Sequence, residues 1–151
     1  MNQEILMKRR MIRAIVLFLL TLIALVVFIA LYIDETKRVQ ETYRIQYITN
    51  IDHVIEDIDS YTNGGGDYPL RYMRIVNNMG SVSSFAFLIN GIDDEKKIAI
   101  NELNACVMKY PEQMKGKLDE MKKALSDVRD GLDKGYSEVN ELVGSVDKMG
   151  K

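Results

Sequence analysis

Ala14 to Ile33 is an unbroken run of twenty residues without a charge. At about 1.5 Å of rise per residue such a run, as a helix, covers roughly 30 Å, the thickness of a bilayer's hydrocarbon core. Thr21 is its only clearly polar member, and a threonine hydroxyl can bond back to a carbonyl of its own helix. The run therefore predicts a transmembrane helix over 14–33, which makes a lipid bilayer the chain's first partner.

Lys8, Arg9, Arg10 and Arg13 stand immediately before the run, whereas Asp34 and Glu35 follow it, ahead of Lys37 and Arg38. Segments rich in Lys and Arg next to a span stay in the cytoplasm. The expected topology is single-pass: a cytoplasmic tail over 1–13, the span over 14–33, and an extracytoplasmic domain over 34–151 at the cell envelope. Tyr32 suits the outer interface, where a ring lies among headgroups with its hydroxyl in water. A cleaved signal peptide begins in a similar way, with a basic region and an apolar stretch. Here the apolar stretch exceeds the usual 7 to 15 residues or so, and no small-x-small pair closes it, since the chain reads Ala30-Leu31-Tyr32-Ile33-Asp34. An uncleaved signal anchor is the reading that follows.

Charge divides unevenly across that boundary. Residues 1–33 carry four basic groups and one acidic group, net +3, which leaves sixteen basic and twenty-one acidic groups, net −5, for residues 34–151. A mildly acidic exterior with no clustered basic face is a poor surface for nucleic acid. The exterior residues suffice for one small domain with its own core. Two prolines, no tryptophan, and many apolar residues at helical spacing predict an all-α fold. Cys106 is the sole cysteine, so no intrachain disulfide can form. Its neighbours Ala105 and Val107 favour a buried thiol, and an intermolecular disulfide in an oxidising exterior is the alternative.

Beyond the span, Val39, Tyr43, Tyr47, Ile51, Val54 or Ile55, Ile58 and Tyr61 recur at steps of three and four, and no Gly or Pro interrupts 14–62. One continuous helix is expected there, broken by Asn63-Gly64-Gly65-Gly66-Asp67. Pro69 suits the first turn of a second helix, with Asp67 as its cap and Leu70, Met73, Val76, Met79 or Gly80, Val82 and Ala86 as its core face. That helix ends in Phe85-Ala86-Phe87-Leu88-Ile89, apolar on all sides, before Asn90-Gly91 stops it in the manner of a left-handed cap. Phe85, Phe87, Leu88 and Ile89 form the candidate interaction patch. A short third helix follows, capped by Asp93 or Asp94, with Ile98, Leu103, Cys106, Val107 and Tyr110 facing the core, and Pro111 interrupts it. Met114, Leu118, Met121, Leu125, Val128, Leu132, Tyr136 or Gly135, Val139, Leu142 or Val143, Val146 and Met149 then predict one long, coiled-coil-like fourth helix, weakened by Gly116, Gly131, Gly135 and Gly144. Four helices joined by short loops imply an antiparallel helical bundle of three to four helices continuing from the transmembrane helix.

Residues suited to chemistry are sparse. His53 is the only histidine and lies among Asp52, Glu56, Asp57 and Asp59. Asp52, Glu56 and Asp59 share a helical face, which suits either a weak cation site or a solvated acidic face, and their place beside the apolar stripe favours the second. No metal site and no cofactor is therefore assigned. With one histidine, every His-assisted triad would pass through His53, and no serine or cysteine stands in a nucleophile motif. The triple glycine lacks the Lys-Ser/Thr of a phosphate loop. No catalytic residue is assigned, and no enzyme activity or small-molecule substrate is expected. Eight tyrosines, most of them on the core stripes, fit amphipathic packing.

The function expected from these features is a non-enzymatic scaffold or assembly subunit whose exterior bundle holds a protein partner or a second copy. The alternative is a ligand-sensing bundle, because a membrane helix leading into an exterior four-helix bundle resembles the layout of many receptor ectodomains. Such receptors return through a second span to a cytoplasmic output domain, and these residues contain no second apolar run.

Overall fold

A computed structural model describes residues 2–148, all of whose regular structure is helical: α1 (Asn2–Asn63), α2 (Tyr68–Leu88), α3 (Asp94–Lys109), α4 (Pro111–Lys115), α5 (Leu118–Asp130) and α6 (Tyr136–Gly144). The chain divides into two compact units, Met1–Val39 and Gln40–Lys151.

The first unit is a single stretch of α1. Its apolar side chains, from Ile15 to Ile33, all stay exposed, and the helix is long and apolar enough to cross a membrane. Thr21 donates its hydroxyl to the carbonyl of Phe18 at 2.8 Å, and Thr36 to that of Tyr32 at 2.8 Å. Each hydroxyl is thereby satisfied within the helix, Thr21 inside the uncharged run and Thr36 in the charged stretch beyond it. The helix already begins at Asn2, so the basic tail is itself helical.

The second unit is built on one core, to which every helix of the unit contributes. Tyr47, Ile51, Val54 and Ile58 of α1 are fully buried with Ile75, Met79 and Val82 of α2, Ile100 and Leu103 of α3, Met114 of α4, Met121 and Leu125 of α5, and Val139 of α6. Polar links hold the helices in register. Arg71 donates to the carbonyl and hydroxyl of Ser60 at the end of α1, Asn78 donates to Asp57 at 2.6 Å, and Gln40 donates to the carbonyl of Leu88 at 3.2 Å. Residue numbers therefore fall along α1 as they rise along α2. The same reversal relates α1 to α5, through Asp59 with Lys122 and Asp52 with Arg129, and α2 to α3, through Tyr72 with Val107 and Ser83 with Asn101. α6 packs against both α3 and α5.

Two expected breaks are present. α1 ends at Asn63, before the three glycines, and α3 ends at Lys109, one residue short of the position preceding Pro111. Asp93 caps α3, its carboxylate accepting from the backbone N–H of Lys96 at 3.0 Å. Asp67 occupies the residue before α2 in the left-handed region, φ 52°, and caps through its backbone alone. The left-handed cap expected at Asn90-Gly91 is absent, since α2 ends in extended backbone at Ile89.

The long fourth helix is the main correction. The structure has three helices where the heptad pattern predicted one, with breaks at Gly116–Lys117 and across Gly131–Gly135. Gly135 has φ 82°, and a Cβ there would stand 2.6 Å from the carbonyl oxygen of Ala124. Only glycine lets the chain turn so close to α5. The apolar stripe nonetheless belongs to the core: Met114, Leu118, Met121, Leu125, Val128, Tyr136, Val139, Leu142 and Val146 are all buried. Met149 lies outside the described residues.

Candidate functional site

The four residues of the expected patch are not one surface. Ile89 is buried at the end of α2, and Phe85 is partly buried, its ring 6.4 Å from that of Tyr43. Phe87 and Leu88 point outward, 53% and 45% exposed. Both follow from helix geometry, because 100° per residue sends neighbours of an all-apolar run to different sides.

α2 exposes more than its end. Leu70 and Met73, assigned to the core by spacing, are half exposed, and the core phase runs instead through Tyr72, Ile75, Met79, Val82 and Ala86. Leu70 and Leu88 are eighteen residues apart, about five turns, and so lie on the same side, with Met73 and Phe87 within about 100° of them. Between these ends the outward side carries Arg74, Asn77, Gly80, Ser81 and Ser84. A Cβ built on Gly80 meets nothing within 4 Å, so this side is open. Five of the eight large apolar side chains left exposed in residues 40–148 belong to α2; the others are Ile45, Ile98 and Met108. Ile98, which spacing places in the core, is thus exposed.

Gln40 bridges both sides of the break at the end of α2. The amide of Gln40 donates to the Leu88 carbonyl and accepts from the backbone N–H of Asn90 at 2.9 Å, so it satisfies two groups that the helix end leaves open. Gln113 does the same for Asp147, donating to its carbonyl at 3.0 Å and accepting from its N–H at 2.8 Å.

The carboxylates around His53 are spent on the fold. Asp52 pairs with Arg129 at 3.3 Å, Asp59 with Lys122 at 2.5 Å, and Asp57 accepts from Asn78. They diverge toward α5 and α2, His53 and Glu56 are exposed, and no group of three or more metal-ligating side chains is gathered among the described residues.

The remaining concavities are shallow. A cleft of about 350 Å³ beside α5 and α6 is lined by Glu120, Glu138 and Glu141 against Lys123. A second, of about 270 Å³, is lined by Tyr61, Tyr68 and Lys115, among others. Tyr61 there meets Tyr68 and Tyr72 edge-on, at ring separations of 5.5 and 6.0 Å, and Lys115 Nζ stands 5.7 Å from the centre of the Tyr72 ring.

Inside the core, the hydroxyls of Tyr47 and Tyr136 meet at 3.3 Å. Burial, followed by the neighbouring Tyr136, holds the Tyr47 phenol well above its ordinary range. Tyr72 donates to the carbonyl of Val107 at 2.8 Å, and burial pushes it up to about 12. Burial likewise raises the Cys106 thiol, which is 2% exposed. These are protonated packing groups.

Lys8, Arg9, Arg10 and Arg13 lie exposed on the opening turns of α1. No protein-family model, curated protein or solved structure matches the chain.

Proposed function

We propose that this chain is a single-pass membrane protein whose exterior helical bundle acts, without catalysis, as a scaffold or assembly subunit. Residues 14–33 of α1 form the anchor, Lys8, Arg9, Arg10 and Arg13 keep the N-terminus in the cytoplasm, and residues 34–151 lie outside. The reversed numbering of the α1–α2, α2–α3 and α1–α5 links supports an antiparallel arrangement of the bundle.

The observation that carries the reading is the outward side of α2. A unit that buries Tyr72, Ile75, Met79, Val82 and Ala86 of one helix leaves Leu70, Met73, Phe87 and Leu88 of the same helix in water. Exposed apolar pairs at the two ends of one helix side, Leu70 with Met73 and Phe87 with Leu88, favour an interaction surface along α2. Their burial against a partner would release about 25 cal/mol for each Å² of apolar area removed from water. The heptad pattern no longer supports a long coiled-coil strut, because that segment is three short helices.

A photo-crosslinking residue at Met73 of the full chain, in its native membrane, tests this. A discrete protein adduct from Met73, absent when the probe replaces the exposed Asn140 of α6, is the expected result. No adduct, or the same adducts from both positions, would remove the reading.

A further inference from the structure

We infer that Arg9, Arg10 and Arg13, with Lys8 beside them, form a headgroup site that selects anionic phospholipid in the leaflet receiving the basic end of α1. This rests on the anchor reading above, concerns α1 alone, and names the lipid class that the anchor gathers around itself.

The basic end is placed by the helix. Residues 2–13 continue the helix of the uncharged run without a break, so rise and turn fix where its side chains leave the axis. Arg13 adjoins Ala14, where the run begins, and Arg9 lies four residues further out. The three arginines accordingly stand about 1.5 to 7.5 Å beyond Ala14 along the axis. The headgroup layer occupies roughly 5–7 Å beyond the hydrocarbon core on each side. Their guanidinium groups therefore reach the level of the lipid phosphates.

The same turn gathers them. At 100° per residue, Arg9, Arg13 and Arg10 fall within an arc of about 100° on one side of the helix, and Lys8 stands about 100° further round. All four are exposed.

Their charge is unanswered by the protein. Among the described residues none of the four has an ion pair or a side-chain hydrogen bond, and Glu4 is the sole acid in residues 1–33. The other flank of the run differs: Asp34 and Glu35 stand there with Lys37 and Arg38, and Glu35 pairs with Arg38 at 2.9 Å. A net positive charge held at headgroup level attracts lipids of net negative charge. The planar fork of arginine also meets two phosphate oxygens at once. Phosphatidylcholine offers the same phosphate with its own ammonium beside it, so net headgroup charge is what the site distinguishes.

The chain contains no tryptophan, so Leu17→Trp gives a single fluorescent reporter inside the run near its basic end, and Phe28→Trp gives one toward the other end. Each variant, at full length, is reconstituted from detergent into phosphatidylcholine vesicles holding the same small fraction of either brominated phosphatidylglycerol or brominated phosphatidylcholine. The anionic lipid should quench Leu17→Trp several-fold more than the zwitterionic one and should show no such preference at Phe28→Trp. At 1 M salt, where the screening length is about 3 Å, the preference should shrink. Replacing Arg9, Arg10 and Arg13 together by Gln should abolish it, and replacing them together by Lys should keep most of it. Brominated phosphatidylcholine should quench Leu17→Trp equally with and without the Gln substitutions, which shows that the helix is still inserted. Equal quenching of Leu17→Trp by the two lipids, a preference that survives the Gln substitutions, or an equal preference at Phe28→Trp would overturn the inference alone. Absence of quenching by either lipid at both positions would remove the anchor reading and this inference with it.

Discussion

At the scale of single residues, the bonds that decide this fold are few and buried. Tyr47 is fully buried, and its hydroxyl meets only that of Tyr136 across 89 residues of chain. Tyr47→Phe should cost about 1 kcal/mol, because Tyr136 is left with an unpaired hydroxyl in the core; a shift in the denaturant midpoint reads it. Alkaline pH acts on the same groups. Tyr47 and Tyr72 both titrate above their ordinary value in the folded chain, Tyr72 at about 12. Above about pH 10 the unfolded chain releases these protons and the folded chain keeps them. Folding then binds more protons than unfolding, so stability falls as pH rises. The stabilising contribution is whole below pH 10 and declines from there through pH 12. Denaturation midpoints measured across that window should drop, and the drop should be smaller in Tyr72→Phe; a flat profile would contradict the assignment.

At the scale of helices, two glycines should respond in opposite ways. Gly135→Ala places a Cβ 2.6 Å from the Ala124 oxygen at φ 82°, and should destabilise by about 2 kcal/mol or more. Gly80→Ala adds a methyl to open space within α2 and should stabilise by about 0.5–1 kcal/mol. Thermal melts of the two variants check both. The same contrast shows what could be read in the sequence. The stripe from Met114 to Val146 identified core residues correctly, because burial depends on periodicity, which survives a break when the chain re-enters with the same face inward. The break itself depended on Gly135 adopting positive φ against α5, a tertiary fact with no local signature distinct from that of Gly116 or Gly144. On α2 apolar residues stand at two phases, Leu70-Met73 and Tyr72-Ile75-Met79, and spacing alone did not say which faced inward. Taken at the first phase, spacing places Leu70 and Met73 in the core, whereas the structure leaves both half exposed. The Phe85–Ile89 run was legible as unusual, but which of its members would be exposed was not.

At the scale of the whole molecule, the chain combines a helix of membrane-spanning length and composition with a helical unit that completes its own core and leaves apolar side chains exposed at both ends of α2. The first is legible from the twenty uncharged residues alone, since no exposure pattern in water accounts for an entire helix turn of Leu, Ile, Val and Phe. The account's central claim is that this helix is an anchor with the second unit outside the cell. Gly65 offers the most direct test. It lies in the exposed turn between α1 and α2, and a side chain there meets nothing within 4 Å. In Gly65→Cys the new thiol is open while Cys106 stays buried. A membrane-impermeant maleimide applied to intact cells carrying the full-length variant should label it without permeabilisation; labelling that appears only after the membrane is opened would place the unit inside and contradict the account.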